Sequence, residues 1–419
     1  MRKHLDIQKT FYISSFLLFL YIISVPLEGI FYYHNVTWIG TVIVSLMVVV
    51  YPFLILFKSK LRFNYIEILI YILIIWSLLT LIFSNDFTRT TNSIFLQVYL
   101  LFPVLFLLIL KYNYLPNYKL LINSYSIALL FALAYSLFNI FILGNVFEHG
   151  RLSLSESYNP SWFAALLGLG VILSITNVSI ANNTMRKLFW SLVILIFLFV
   201  LIFTQGRNAM VALFLAGMIT VIVLYTKDFF RFVFYLVLKK RLAKVMAIFI
   251  GVLIITIFSV VYIVNTYPEL LSIERLMRFQ SGDIDSITSN RATIWTNYFK
   301  IFEFDHHAIF GHGLWSSAFI YEEYYGIVKP PHNTFISVFF ELGIVGLIIY
   351  LCFFIALGIH TFKQRGILAK ASQATFLYAF FLNFGNDMLT YKYFWITIFF
   401  SILLVKYNRL IETSNKQIT

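Results

Sequence analysis

LFWSLVILIFLFVLIFTQGRNAMVALFLAGMITVIVLY, residues 188–225, decides the fold class. It holds two apolar runs, 188–204 and 208–225, each close to the ~20 residues a helix needs to cross a bilayer core. Almost nothing separates them except Gln205, Gly206 and Arg207. Similar runs recur along the chain, which is 61% hydrophobic, 19% aromatic and only 12% charged over 419 residues. An average soluble domain carries about 25% charged residues. So much apolar surface does not fit in one water-soluble core, and the chain reads as an all-α polytopic membrane protein. That excludes soluble enzymes, nucleic-acid binders and secreted disulfide scaffolds. The net charge of +13 is spread over short loops, so no nucleic-acid partner is expected. Cys352 is the single cysteine and sits in an apolar run, where it reads as a small core hydrophobe.

A bilayer-length window places about twelve spans, at 11–30, 38–57, 65–83, 93–110, 120–143, 161–180, 188–204, 208–225, 245–264, 333–358, 371–388 and 391–407. The first lacks a small-residue cleavage site and reads as a span rather than a removable signal. With the N-terminus in the cytoplasm, every inside segment carries at least two lysines or arginines, most densely between Lys227 and Lys244. The positive-inside rule is then obeyed throughout, and both termini are expected to be cytoplasmic. The stretch 228–242 is too short and too charged to span and reads as an amphipathic helix along the inner leaflet. Three regions follow: spans one to nine over 1–264, a long outside loop over 265–332, and spans ten to twelve with a tail over 333–419.

The loop 265–332 is where chemistry is expected, because long loops of mixed composition are usually functional. Its stretch TSNRATIWTNYFKIF, 288–302, has helical spacing, with Ile294, Tyr298 and Ile301 on one face. A helix starting near Asn290 aims its N-terminus and Arg291 at one place, which suits an anion. Arg207, at membrane level between two spans, and Arg275, Arg278 and Arg291 in the loop stand on the face that otherwise excludes positive charge. Arginine offers fixed paired donors that match phosphate oxygens. The competing reading is pairing with Glu269, Glu274, Asp283 or Asp285. His332 closes the loop in KPPHNTF, 329–335, where it can act as a base, bond a phosphate or cap the helix that Asn333 begins. His312 lies between glycines in FGHGLW, 310–315, and Glu341 lies inside a span in FFELGIVGL, 339–347. His306 and His307 are adjacent, poor spacing for a shared metal site on a helix, and read as solvated. Arg151, Asn159 and Pro160 stand in a shorter outside loop. No P-loop, dinucleotide fingerprint, zinc motif or nucleophile elbow is present, so no cofactor and no metal are expected.

Taken together, GRNA at 206–209, SNRATIW at 289–295, HHAIFGHGLW at 306–315 and HNTFISVFFELGIVGLIIYL at 332–351 resemble the O-antigen ligase and polymerase superfamily in order and spacing. The resemblance covers about 200–350; Ala308 stands where relatives often carry proline. It implies a GT-C-like, metal-independent, inverting glycosyltransferase of the bacterial inner membrane, with its site on the outer face. The implied donor is a glycan on undecaprenyl diphosphate, and membrane lipid and a chain-length regulator protein are further expected partners. Arg207 and Arg291 would bind the diphosphate, and His332 would assist at the acceptor or the phosphate. Arg151, Arg275, Arg278, His312, Asn333 and Glu341 are expected to contact diphosphate or glycan. A polysaccharide polymerase is expected first, with an O-antigen ligase as the alternative. A flippase of the same lipid-linked sugars is less favoured, because the chain shows one asymmetric loop and no repeated halves.

Overall fold

The computed structural model describes residues 16, 18–34, 65–84, 86–93, 118–141, 151–154, 158–238 and 290–418. The described residues are helical and contain no strand. In chain order the helices are α1 (Glu28–Tyr33), α2 (Tyr65–Leu79, extended by a 3-10 turn over Thr80–Phe83), α3 (Tyr118–Phe141), α4 (Pro160–Ile180), α5 (Thr184–Phe203) and α6 (Arg207–Leu238). The segment before the next long helix adds α7 (Arg291–Lys300), α8 (His306–Phe310) and α9 (Ser317–Tyr325), and the chain continues with α10 (Thr334–Phe362), α11 (Ile367–Leu382) and α12 (Lys392–Ile418).

Six of these are long and apolar enough to cross a membrane: α2 with its 3-10 turn, α3, α4, α5, α10 and α12. The apolar part of α6 and the whole of α11 are shorter. This count of six is made among the described residues alone. The expected spans 38–57 and 245–264 lie outside them, as do nearly all of 93–110 and residues 11–15 and 17 of the first span. α6 runs without interruption through 228–238, because no glycine or proline falls between Met218 and Leu238 to stop it.

The ends of the helices are written locally. Asn159 accepts from the N–H of Ser161 and Pro160 opens α4, the pairing of cap and first-turn proline that pre-sets a helix start. Asn183 caps α5 through the N–H of Met185. α4 is the central element: it packs against α3, α5, α6 and α11 and is buried on most of its surface. Its glycines let neighbours come close, as small residues do between membrane helices. The Tyr378 hydroxyl lies over Gly168, where a Cβ would sit 2.1 Å from it, and donates to the Ala165 carbonyl at 3.0 Å.

α10 is not one rod. The backbone leaves the helix at Gly343 (φ 69°, ψ −175°), a conformation other residues rarely adopt. The carbonyls freed at that break are bonded from outside the helix. Phe340 accepts from the N–H of His312 and Glu341 from that of Gly313, each at 3.0 Å. Leu342 accepts from the Trp76 indole at 2.8 Å. Gly311 and Gly343 cross so closely that a Cβ on either would sit 2.1–2.2 Å from the other strand's backbone carbonyl. This crossing ties the segment of α7–α9 to the bundle of long helices.

Candidate functional site

The α7 start falls where the helical spacing puts it, with Asn290 left-handed (φ 62°) just ahead of Arg291. Ile294 and Tyr298 are buried. One helical turn separates Arg291 from Trp295, so both point to the same side. The Trp295 indole donates to the Pro331 carbonyl at 2.8 Å, and the Tyr298 hydroxyl reaches the carbonyls of Lys329 and Ser317 at 2.8 and 3.0 Å. α7 therefore grips the strand of chain that ends in His332. These two aromatic residues hold the loop together.

His332 itself is left-handed (φ 50°), a costly state for a non-glycine residue unless its surroundings enforce it. The enforcing group is Asp387. Its carboxylate accepts the N–H groups of His332 and Asn333, each at 3.2 Å, and the hydroxyl of Ser337. The sequence reading missed Asp387. Hydropathy carries the eleventh span through 388, whereas α11 ends at Leu382 and residues 383–391 turn back toward the loop. The available signal was the polar run Asn383, Gly385, Asn386 and Asp387, which ought to have ended the span earlier.

Arg291, His332, Glu341 and Asp387 line one cavity of about 350 Å³ together with Trp162, Trp315, Phe319 and Tyr391. Burial, then the like charge of Arg207, lowers the Arg291 guanidinium from its ordinary pKa, while Asp387 opposes them. Arg207 and Arg291 therefore stand near enough to repel. The Arg291 Nε is buried with no hydrogen-bond partner, a state in which a donor is normally costly. Burial also pushes the His332 imidazole below its usual value of 6.5; Asp387 pulls it up, and Arg291 and Lys329 push it down. The Asp387 carboxyl is raised by its own burial, which its hydrogen bonds and His332 offset in part. The cavity thus joins Arg291, a histidine kept neutral and a deep carboxylate beside half-exposed aromatic rings, with the charge of Arg207 felt at Arg291.

The remaining expected residues have other surroundings. Arg151 donates to the Thr204 carbonyl at 3.1 Å and to the Ser161 hydroxyl at 3.2 Å, joining the α5–α6 turn to the start of α4. It thereby braces the turn that presents Arg207. Asn333 turns its side-chain oxygen onto the N–H groups of Phe335 and Ile336 and caps α10. Glu341 accepts from the Ser317 hydroxyl at 2.6 Å, so it fastens α9 to α10 at the cavity wall. His312 faces a different cavity and stacks on His307 with ring centroids 4.1 Å apart. Arg275 and Arg278 lie outside the described residues.

A family model described as O-Antigen ligase matches residues 191–351. The matched segment runs from α5 into α10 and contains Arg207, Arg291, His332 and Glu341, while Asp387 lies beyond it. The match agrees with the resemblance to the O-antigen polymerase and ligase superfamily. Comparison with curated proteins finds no match.

Proposed function

We propose that the chain transfers a glycan from a polyprenyl diphosphate to an acceptor hydroxyl, in the cavity between α7, α9, α10 and the 383–391 turn. The observation that carries this reading is the buried, unpartnered Arg291 Nε beside Arg207 and a neutral His332. The charge of Arg207 is felt at Arg291, and a diphosphate bound by Arg291 would offset that repulsion. In the reaction the bond from the anomeric carbon to phosphate oxygen breaks as the acceptor oxygen attacks from the opposite face. Negative charge grows on the departing diphosphate, where Arg207 and Arg291 stabilise it. The acceptor proton passes to His332, which burial keeps unprotonated at neutral pH. No step calls for a metal ion. Trp315, 38% exposed, and Tyr391 offer ring faces to the sugars.

Within this reading the protein is a multi-pass protein of the bacterial inner membrane, of GT-C-like architecture and about twelve spans, with cytoplasmic termini and residues 265–332 on the outer face. The donor is undecaprenyl diphosphate-linked, and the acceptor is the terminal sugar of a second lipid-linked repeat unit, which makes the protein a polysaccharide polymerase. The match to an O-antigen ligase family supports a second reading, a ligase whose acceptor is lipid A–core or a protein. The glycan ladder of the native host separates them. Deleting the gene should leave single repeat units on the final acceptor, and complementation with Arg291→Ala or His332→Ala should not restore the ladder. Long chains held on undecaprenyl diphosphate with a bare acceptor would mean a ligase. An intact ladder from either variant, with protein inserted normally, would sink the site.

A further inference from the structure

A second cavity, of about 210 Å³, opens on the far side of the α9–α10 wall. Glu303, Asp305 and Glu323 line it with His307 and His312, and no lysine or arginine is among its lining residues. Three carboxylates thus share one concavity without a basic side chain in its walls. We propose that Asp305, His306 and His307, at the lip of this cavity, bind a divalent transition-metal ion of the zinc class.

Four observations support the site. One ligand atom from each of the three side chains lies within 4.8 Å of the other two, and two nitrogens with one carboxylate oxygen is a donor set that zinc accepts. The carboxylate is oriented in advance: one Asp305 oxygen accepts the N–H groups of His307 and Ala308 at 2.9 and 3.2 Å, while the other faces His306 Nδ1 at 3.8 Å. His307 Nδ1 stands 3.2 Å from the Gly311 carbonyl. Donation to that carbonyl leaves Nε2 with its lone pair free, the second-shell arrangement common to metal-bound histidines. The chain on the far side is fixed, because Gly311 is pinned against the break in α10. His306 is the most exposed of the three, at 62%, and has room to swing onto an ion. Adjacent histidines looked unsuitable along a long helix. Here the chain bends at Asp305 and again at Gly311, and the two rings lie with centroids 4.0 Å apart. Three protein ligands leave a coordination position open, and Glu303 and Glu323 line the adjoining cavity. The ion would lock the 301–313 turn onto α10 without entering the arginine cavity, so the proposal stands apart from the glycosyl-transfer reading.

The test is titration of the purified full chain, stripped with chelator, with zinc chloride by calorimetry, followed by metal analysis after desalting. One zinc per chain is expected. Asp305→Asn keeps an N-cap acceptor and so should fold, yet bind zinc at least about tenfold more weakly, as should His306→Ala and His307→Ala. His34→Ala should leave affinity unchanged. Zinc should raise the Tm of the parent protein but not of Asp305→Asn. No binding by the parent, affinity equal to the parent's in the three site variants, or calcium binding as tight as zinc would each overturn the proposal.

Discussion

Burial acts on Arg291 and His332 in the same direction with opposite consequences. It disfavours the charged form of both, but a guanidinium starts so high that it stays protonated, whereas an imidazole becomes neutral. One environment therefore furnishes a permanent cation and a base. If Arg291 acts on the departing diphosphate, Arg291→Lys should lower kcat by about 10²–10³, the usual cost of losing an oriented donor, with the protein still inserted. The acid limb of the rate–pH profile should lie below 6.5, since the folded protein holds His332 neutral below its ordinary value. Lys329→Gln removes a charge that pushes His332 down and should move that limb upward. A limb that ignores this change would remove His332 from the proton step. The stability sign runs the same way: protonation of a histidine kept neutral by folding favours unfolding, so stability falls as pH drops through this range. Asp387 is a positioning residue, since it bonds the backbone on either side of the His332–Asn333 peptide. Asp387→Asn also removes a charge that raises His332, so its residual activity should show an acid limb shifted further down, a change that mere loss of packing does not produce.

At the scale of elements, the crossing of the Gly311 turn with the α10 break carries the argument. Phe310, Gly311, His312 and Gly313 on one stretch and Glu341, Leu342 and Gly343 on the other form a joint in which none of the three glycines tolerates a side chain. Gly343→Ala must overcome both a positive φ and a 2.1 Å approach to the Ile309 carbonyl, so a loss of at least ~1–3 kcal/mol is expected. A lowered Tm with a weakened hold on α9 is the readout; an unchanged Tm would show that the crossing is not formed. Cap removal is gentler. Asn159→Ala should cost ~1 kcal/mol through the freed N–H of Ser161. The motif spacing read along the chain is thus the spacing of a mechanical joint, and its glycines were visible there while its partner strand was not.

At the scale of the molecule, the bundle around α4 and the α7–α9 segment form one site because α10 and the 383–391 turn belong to both. Topology is open to direct measurement. In a Cys352→Ser background, single cysteines at Ser289 and Glu322 should react with a membrane-impermeant maleimide added to intact spheroplasts, and one at Gln364 only after lysis. Labelling of Gln364 from outside would invert the proposed orientation.

The sequence by itself determined that this is a helical membrane protein, because apolar runs of bilayer length allow few other solutions. It also singled out Arg207, Arg291, His332 and Glu341, whose type and setting are unusual for where they stand. What it did not determine was convergence. Asp387 joins His332 across a sequence separation of 55, and Asn333 and His312 turn out to serve a helix cap and a second cavity. Hydropathy is a property of one segment at a time and ran the eleventh span past its end. Which side chains share a cavity depends on how α7, α10 and the 383–391 turn pack, and that was decided only by the tertiary structure.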